Sequence, residues 1–346
     1  MLRPVIMLLI AFAPVLVACH GQHRYDSSFL AMGTRTDLSV LSKDAATAAL
    51  ATHQVELLML QWSKDWYPWG AAPGELKQLN VALASGQSMQ VSNKLRDLLL
   101  RSRELSIASE GYFDPAIAPM VIAWGFDSAN RTPRRLPDRS VLNAWATHRP
   151  TMQDLIIESN RIYSQRRDLQ LDLGAIAKGY ALDLCLRQLR NDGVVAAAIN
   201  IGGQVGIMGD MEQLIRKMEI RDPRRNASLA SLVLNNGEHL STSGDYERDA
   251  VVNGHHVHHL LDPHTGEPVA TTQMVTVIAN SGTRADAAST AIMAAGDNWQ
   301  RVAKELAISH VLRVTATGEI QVTAAMYTRL NWHQSTSQNH HVVQIN

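Results

Sequence analysis

The segment 168–183, DLQLDLGAIAKGYALD, constrains the fold more than any other stretch of the chain. Its alternating leucines predict a half-buried strand, and Gly174 then leads into a helical pattern over residues 175–190. The N-terminus of a helix offers backbone N–H groups to an anion, while Lys178 adds a positive charge and Asp172 a hard oxygen. The segment therefore predicts a corner that handles a phosphate group, with an ordinary strand-to-helix turn bearing a surface lysine as the alternative.

Composition and charge narrow the class of partner. The chain has 346 residues, of which 46% are hydrophobic and 18% charged, so it is long enough to bury a substantial core. Its 32 Lys and Arg residues balance 32 Asp and Glu residues, which leaves no broad positive field for nucleic acid or an anionic membrane surface. We expect no nucleic-acid partner and favour a small ligand or a protein.

The N-terminus predicts export and lipid attachment. A positively charged start precedes an apolar run over 6–17, too short to span a membrane stably, and LVAC at 16–19 resembles a bacterial lipobox. We expect a lipoprotein signal peptide over residues 1–18, a lipidated Cys19 and a tether over 19–28, which hold the protein on the periplasmic side of a bacterial membrane. A cleaved signal peptide with an incidental cysteine is the alternative.

A second constellation of oxygen donors follows the strand predicted over 274–279. On a helix, Asp286 and Thr290 lie one turn apart on the same face and present a carboxylate and a hydroxyl. Such hard oxygen donors suit Mg²⁺. The competing interpretation is a capping box formed by Thr283 and Asp286, in which the carboxylate serves only the helix N-terminus.

Five histidines and an aromatic cluster supply two further candidates. The histidines fall within HHVHHLLDPHTG at 255–266, where an imidazole at a strand end is a candidate general base, a soft-metal ligand or simply a solvated side chain. Trp62, Trp66, Tyr67 and Trp69 crowd a loop after the helix predicted over 44–62, where they form either a ring-stacking surface or a small core. A helix is also predicted over 95–108, and the proline-bounded loop 133–137 is the candidate internal seam.

Seven ordered motifs together resemble the FAD:protein FMN transferase family of the ApbE type. They span about residues 29–296, most of the chain that follows the predicted signal peptide. The matching motifs are AMGT at 31–34, GYFDP at 111–115 with WGF at 124–126, DLGAIAKGY at 172–180, NIGG at 200–203, TSGDYE at 242–247, HLLDPHTG at 259–266 and ADAASTA at 285–291.

The resemblance implies an α+β fold in which antiparallel-rich mixed sheets carry outer helices, and FAD lies in a cleft between two lobes. The family domain would cover 29–330 and leave a polar tail over 331–346. The implied reaction is Mg²⁺-dependent transfer of FMN from FAD to a threonine hydroxyl of an acceptor protein, with release of AMP. A doubly wound dinucleotide fold is disfavoured because no Gly-x-Gly-x-x-Gly motif follows the first strand.

The resemblance also assigns residues to roles. His259 would be the base that takes the threonine proton, and Mg²⁺ would be held by the carbonyl of Ala175 and the side chains of Asp286 and Thr290. The residues that would contact the substrate FAD are Met32, Trp66, Tyr112, Phe113, Asp114, Asp172, Lys178 and Leu260.

Three positions depart from the family pattern, and three other functions stay open. Ala175 replaces a more usual glycine, Gln204 stands where an acidic residue is common, and Trp66 stands where a tyrosine is common. The same site with water as nucleophile would be a Mg²⁺-dependent FAD pyrophosphatase that yields FMN and AMP. A non-catalytic flavin-binding lipoprotein and a histidine-rich metal carrier are the remaining alternatives.

Overall fold

The computed structural model describes residues 22–71, 73–127, 136–210, 217–333 and 340–345. The helices are α1 (Ala45–Asp65), α2 (Glu75–Ala84), α3 (Asn93–Ala108), α4 (Ala118–Trp124), α5 (Arg139–His148), α6 (Ala177–Asn191), α7 (Gly282–Ala294), α8 (Trp299–Glu305) and α9 (Ala324–Tyr327). The strands are β1 (His23–Ala31), β2 (Thr34–Ser42), β3 (Met89–Gln90), β4 (Leu155–Glu158), β5 (Arg161–Ser164), β6 (Ala196–Ile201), β7 (Gln204–Met208), β8 (Met218–Arg221), β9 (Ser228–Leu232), β10 (His239–Gly244), β11 (Asp249–Val252), β12 (His255–His258), β13 (Thr272–Ala279), β14 (His310–Thr315), β15 (Ile320–Thr323), β16 (Asn331–Trp332) and β17 (His340–Val343).

A nine-stranded sheet in the order β1-β2-β6-β7-β10-β13-β14-β15-β17 forms the centre of the fold. Its neighbouring strands are antiparallel, except that β17 runs parallel to β15. Smaller sheets are formed by β16-β9-β8, by β3-β5-β4 and by the hairpin β11-β12. The predicted α+β class with antiparallel-rich mixed sheets is confirmed.

The central sheet is buried on both faces because its strands alternate between two cores. Along β6, Ala197, Ile199 and Ile201 pack into a large core shared with α1, α3, α6, α7 and α8. The intervening Ala196 and Ala198 pack into a second core with β8 and β9. This period of two is the geometry of a strand whose side chains point to opposite faces in turn.

Helices α6 and α7 cross at glycine, and this contact positions the two motifs that the sequence analysis singled out. A Cβ atom placed on Gly179 would lie only 2.0 Å from the carbonyl oxygen of Gly282 and 2.7 Å from the Cβ atom of Asp286. Real Cβ atoms do not approach backbone this closely, so only glycine permits the crossing. The helices then lie close enough for the backbone N–H of Gly179 to donate to Asp286 Oδ2 at 2.9 Å.

A carboxylate from α6 also fastens the start of α7. Asp183 accepts hydrogen bonds from the backbone N–H groups of Gly282 at 2.7 Å and Thr283 at 2.9 Å, and from the hydroxyls of Ser281 and Thr283. The N-cap residue is Ser281. Because the carboxylate of Asp286 accepts from Gly179 instead, the capping box of Thr283 with Asp286 is wrong as an interpretation of this helix.

The segment before α6 is extended but joins no sheet, which corrects the strand predicted there. Leu169, Leu171 and Leu173 alternate into the core as the pattern predicts, and each is fully buried. The backbone of Leu171 is paired in both directions with the side-chain amide of Asn80, and the N–H of Asp172 donates to the carbonyl of Pro115. Side-chain and loop partners therefore replace a neighbouring strand.

Two described stretches near the ends of the chain form strands that the sequence does not predict. Strand β1 begins at His23, within the segment 19–28 that we expect to be a tether. The strand extends this far because His23 pairs with Ser42 at the end of β2. Strand β17 lies within the expected tail 331–346 and pairs with β15. The predicted signal peptide, Cys19 and residues 133–135 of the predicted seam lie outside the described residues. Among the helices that the structure describes, none combines the length and apolar character needed to cross a membrane.

We predict that Gly179→Ala lowers the free energy of unfolding by about 3 kcal/mol, because the added methyl group overlaps the backbone of Gly282. In a helix without this contact the same change would stabilise by roughly 1 kcal/mol. Urea denaturation of the two proteins measures the difference. Gly254→Ala is the control: its methyl group meets open space, so only the strain of a positive φ remains, worth about 1 kcal/mol. Equal losses in both variants would contradict the close crossing.

Candidate functional site

A cavity of about 280 Å³ lies where the two helices meet the end of the central sheet. Two hairpin turns, Met32-Gly33 between β1 and β2 and Gly202-Gly203 between β6 and β7, form part of its wall. They lie side by side because Thr36 on β2 pairs with Ile201 on β6. All four turn residues have positive φ, as in the two-residue turns that match strand twist.

The 172–178 corner forms another part of the wall. The carboxylate of Asp172 accepts a hydrogen bond from the N–H of Gly174 at 2.7 Å and another from the indole N–H of Trp69 at 3.0 Å. Lys178 donates to the carbonyl of Gly174 at 3.0 Å, with its side chain 23% exposed. These bonds place a half-buried ammonium and a carboxylate on one side of the cavity, as the sequence predicts for this corner.

Asp286, Thr290 and Ala175 all line this cavity, so the fold brings together oxygen donors from α7 and from the turn before α6. Asp286 is 1% exposed, and Lys178 Nζ lies 3.8 Å from its Oδ1 atom. Burial raises the pKa of Asp286, and the nearby ammonium and the N–H of Gly179 offset this only in part.

This donor set is chemically suited to a hard divalent cation. The raised pKa means that the positive charge near the carboxylate of Asp286 does not fully offset its burial. A divalent cation that binds oxygen ligands would supply further positive charge. The hydroxyl of Thr290 lies 3.2 Å from that of Ser243, a second oxygen on the cavity wall. In the described part of the chain no group of three or more His, Cys, Asp or Glu side chains is arranged to hold a metal ion, which disfavours a site built from clustered histidines.

Among the five histidines of 255–264, His259 is the one that lines the cavity. Burial, with the charge of Arg248 second, lowers the pKa of His259 to about 3, so the ring is neutral at physiological pH. Its Nδ1 atom lies 3.3 Å from the carbonyl oxygen of Arg248. Because a carbonyl only accepts, Nδ1 carries the proton and Nε2 keeps the lone pair that a base needs.

The neighbouring imidazole is occupied elsewhere. His258 is 3% exposed, and its Nε2 atom donates to the carbonyl of Val269 at 2.8 Å. The ring therefore braces the strand against the segment that returns from the Asp262–Gly266 turn. His258 ends β12 and His259 follows it, so the two adjacent rings reach different places, one the carbonyl of Val269 and the other the cavity.

The tryptophan cluster divides between core and cavity. Trp66, which the resemblance assigns to FAD, is 3% exposed and stacks on Trp62 with ring centroids 5.1 Å apart. It does not line the cavity, whereas Trp69 does. Trp66 lies away from the cavity because α1 continues to Asp65, and its C-cap residue, Trp66, packs into the core. The small-core interpretation is confirmed for Trp62 and Trp66, and a ring-stacking surface stays a prediction for Trp69 on the cavity wall.

The remaining residues assigned to FAD all border the cavity, but their side chains differ in freedom. Met32, Tyr112, Phe113 and Leu260 present apolar surface. The carboxylate of Asp114 is instead used inside the protein, where it accepts from Ser106, Ala116 and Met152. Burial raises its pKa. The geometry thus gives Asp114 a bracing part in the turn that follows Phe113.

The side-chain amide of Gln204 pairs with the backbone of Thr242 in the way that a neighbouring strand would. Its side-chain oxygen accepts from the N–H of Thr242 at 3.2 Å and its amide nitrogen donates to the carbonyl of Thr242 at 3.4 Å. An ionised carboxylate accepts but does not donate, so glutamine suits this place, which extends the pairing of β7 with β10. Sequence reasoning did not single out Arg248, and it assigned neither Trp69 nor Phe126 to the ligand, although all three line the cavity. Their closeness to matched motifs was the available signal.

An α+β protein with a buried carboxylate, a lysine and a neutral imidazole around one cavity belongs to the class suited to acid–base chemistry on an anionic small molecule. A family model described as "ApbE family" matches residues 32–312. The chain belongs to the ApbE family.

Named relatives and solved structures agree with this assignment. The chain is 38% identical over 304 residues to the FAD:protein FMN transferase of Rhodobacter capsulatus, an alignment that covers 88% of the chain and 58% of that relative. It is 29% identical to an FAD:protein FMN transferase of Klebsiella pneumoniae, covering 83% of each. The chain thus spans somewhat more than half the length of the first relative.

Two crystal structures have the same fold. The ApbE protein of Thermotoga maritima superposes with a TM-score of 0.81 at 26% identity, covering 89% of this chain and all of that one. The apo flavinyl transferase ApbE of Pseudomonas stutzeri gives 0.76 at 26% identity, covering 89% and 97%. These superpositions agree with the α+β fold of mixed sheets and helices that the resemblance implies.

We predict that the His259 ring stays neutral between pH 7.5 and 5. NMR ring shifts, assigned by comparison with His259→Gln, measure this, and a titration midpoint near 6.5 would contradict it. The sign for stability follows, because the folded pKa of about 3 lies below the ordinary value. The unfolded chain binds the proton first, so this residue lowers the free energy of unfolding as the pH falls below about 6.5.

Proposed function

We propose that this protein transfers the FMN moiety of FAD to a threonine hydroxyl of an acceptor protein and releases AMP, in a reaction that depends on Mg²⁺. The observation that carries the proposal is the convergence of His259, Lys178 and Asp286 on one cavity. Both named relatives are FAD:protein FMN transferases, which supports the same activity. The neutral imidazole is the specific feature that a purely flavin-binding protein would not need.

The chain's own residues account for most of the chemistry. His259 Nε2 takes the proton of the threonine hydroxyl, whose oxygen attacks the FMN-side phosphorus of the diphosphate. A bond forms between that oxygen and phosphorus, and the bond from phosphorus to the bridging oxygen breaks, so that AMP leaves with the electron pair. The ammonium of Lys178 stabilises negative charge on the phosphate oxygens.

The carbonyl of Ala175, the carboxylate of Asp286 and the hydroxyl of Thr290 would hold the Mg²⁺ ion. When bound, the ion would neutralise charge on the diphosphate and so favour departure of AMP. The carboxylate of Asp286 supports this assignment, because it is buried and its neighbours offset only part of the free-energy cost of ionising it.

The isoalloxazine and adenosine parts of FAD need apolar and aromatic surface, and the cavity wall provides it. We assign FAD contacts to the predicted cavity residues, with Trp69 in the place that the sequence gives to Trp66. The assigned contacts are Met32, Trp69, Tyr112, Phe113, Asp172, Lys178 and Leu260, with Asp114 bracing the aromatic segment.

We further propose that residues 1–18 are a lipoprotein signal peptide and that Cys19 is lipidated, so that the catalytic domain works on the periplasmic side of a bacterial membrane. The lipobox-like LVAC at 16–19 supports this placement. With β1 beginning at His23, only three residues separate the lipidated cysteine from the central sheet. The acceptor would then be another protein exposed at the same membrane surface.

The activity is tested by incubating the purified full chain with FAD, MgCl₂ and a threonine-bearing acceptor domain, then measuring acceptor mass and free AMP. We expect an acceptor mass gain equal to an FMN group, matched by AMP, and abolished by Thr→Ala in the acceptor. His259→Asn should reduce the rate by about 10²–10⁴-fold while FAD still binds. Asp286→Asn should remove the dependence on Mg²⁺ together with activity.

The exposed His255 provides the matched control, because His255→Asn removes an imidazole from the same hairpin without touching the cavity. Its rate should equal that of the wild type. AMP release without a change in acceptor mass would instead identify a pyrophosphatase. A wild-type rate in His259→Asn would overturn the role of the base.

A further inference from the structure

Four hydroxyl groups meet where α7 packs on β10. Ser241 and Ser243 are two residues apart on the strand, so their side chains point to the same face of the sheet. Ser289 of α7 lies between them, with its Oγ atom 3.0 Å from that of Ser241 and 2.8 Å from that of Ser243. Ser243 Oγ in turn lies 3.2 Å from Thr290 Oγ1. The hydroxyls therefore form a chain that ends at Thr290, on the cavity wall.

This chain of hydroxyls is enclosed by protein. Ser241, Ser243 and Ser289 are all buried, and Ser289 has no exposed surface. Buried hydroxyl groups direct their protons to acceptors within the protein, because an unmade hydrogen bond there is costly. The direction of each proton can therefore be worked out from the partners that each oxygen contacts.

Ser289 fixes the direction of two other protons. Its hydroxyl also contacts the backbone carbonyl oxygen of Asp286 at 3.0 Å, a bond that serine makes within helices. A carbonyl only accepts, and a hydroxyl has a single proton, so Ser289 donates to Asp286 and accepts from both serines of β10. The proton of Ser243 therefore points to Ser289 and not to Thr290.

The same count leaves one acceptor for the proton of Thr290. Thr290 Oγ1 lies 3.2 Å from Ser243 Oγ and 3.4 Å from the carbonyl oxygen of Asp286. That carbonyl already accepts the Ser289 hydroxyl and, within the helix, the N–H four residues later, and these bonds use both of its lone pairs. Ser243 still has lone pairs to offer, so Thr290 donates to Ser243.

The direction of this proton decides what Thr290 presents to the cavity. A hydroxyl binds a hard cation through a lone pair of its oxygen. With its proton turned to Ser243, Thr290 Oγ1 keeps its lone pairs for the cavity, which Asp286 also lines. A proton turned into the cavity would repel a cation instead.

We propose that Ser243 and Ser289 are positioning residues that hold the proton of Thr290 away from the cavity and so prepare Thr290 Oγ1 to bind a divalent cation. Ser289 orients Ser243, and Ser243 accepts from Thr290, so both act through Thr290. Groups that orient metal ligands in this way contribute about 10- to 100-fold to metal affinity. The inference rests on the proposed function in taking Thr290 as a ligand of the ion.

The first test measures the Mn²⁺ affinity of the full chain, without FAD or acceptor, from the electron paramagnetic resonance signal of the free ion. Ser243→Ala removes the acceptor for the Thr290 proton, and it should weaken Mn²⁺ binding about tenfold. Ser289→Ala leaves the proton of Ser243 without its acceptor, and it should weaken Mn²⁺ binding in the same direction.

Ser241→Ala is the matched control. It removes a buried hydroxyl from the same contact of α7 with β10, while Ser289 still donates to Asp286 and accepts from Ser243. The control should lower the midpoint of urea unfolding as Ser243→Ala does, because each loses one buried hydrogen bond. Its Mn²⁺ affinity should equal that of the wild type, which a merely structural role for Ser243 would not produce.

Neutron diffraction from deuterium-exchanged crystals tests the proton directions without any substitution. Deuterium on Ser243 directed to Ser289, with deuterium on Thr290 directed to Ser243, supports the proposal. Deuterium on Thr290 directed into the cavity overturns it.

The Mn²⁺ measurements can also overturn the proposal. They do so if Ser243→Ala binds like the wild type, if Ser241→Ala loses as much affinity as Ser243→Ala, or if the wild type binds no Mn²⁺. A chain that transfers no flavin, but whose Mn²⁺ affinity depends on Ser243 and not on Ser241, would reject the proposed function alone and leave this inference standing.

Discussion

The close crossing of α6 and α7 at Gly179 and Gly282 is the contact on which the site depends. Without a side chain at either position the helices approach until backbone meets backbone, with Gly282 O only 2.0 Å from where a Cβ on Gly179 would lie. That approach carries Lys178 to within 3.8 Å of a carboxylate 108 positions later in the chain. Asp183 then fixes the rotation of α7 by accepting from its first N–H groups.

The pKa shifts of Asp286 and His259 in the cavity are caused by burial more than by neighbouring charges. Burial raises the pKa of Asp286, and the ammonium of Lys178 offsets the cost of its charge only in part. His259 is enclosed beside Arg248, so its ring stays neutral. One shielded environment thus disfavours the charged form of both groups, the carboxylate of Asp286 and the imidazolium of His259. Both effects come from the free energy of removing charge from water.

Much of the fold and site could be predicted from local sequence. The helix containing Leu98 follows from its amphipathic pattern, and the resemblance carried by the ordered motifs points to most of the residues that line the cavity. Local patterns failed where the structure depends on partners that are distant in the sequence. The backbone of Leu171 is satisfied by the side chain of Asn80, which no strand pattern reveals. Trp66 is the C-cap residue of α1 and packs into the core, whereas Trp69 lies beyond the end of the helix and lines the cavity.

The measurement that tests this account most directly is anomalous X-ray scattering from crystals of the protein soaked with FAD and Mn²⁺ in place of Mg²⁺. Because α6 and α7 bring the donors together, we expect one strong manganese peak bounded by the carboxylate of Asp286, the hydroxyl of Thr290 and the carbonyl of Ala175, next to the diphosphate. A peak among the histidines of 255–258, or no peak in crystals that contain bound FAD, would contradict it.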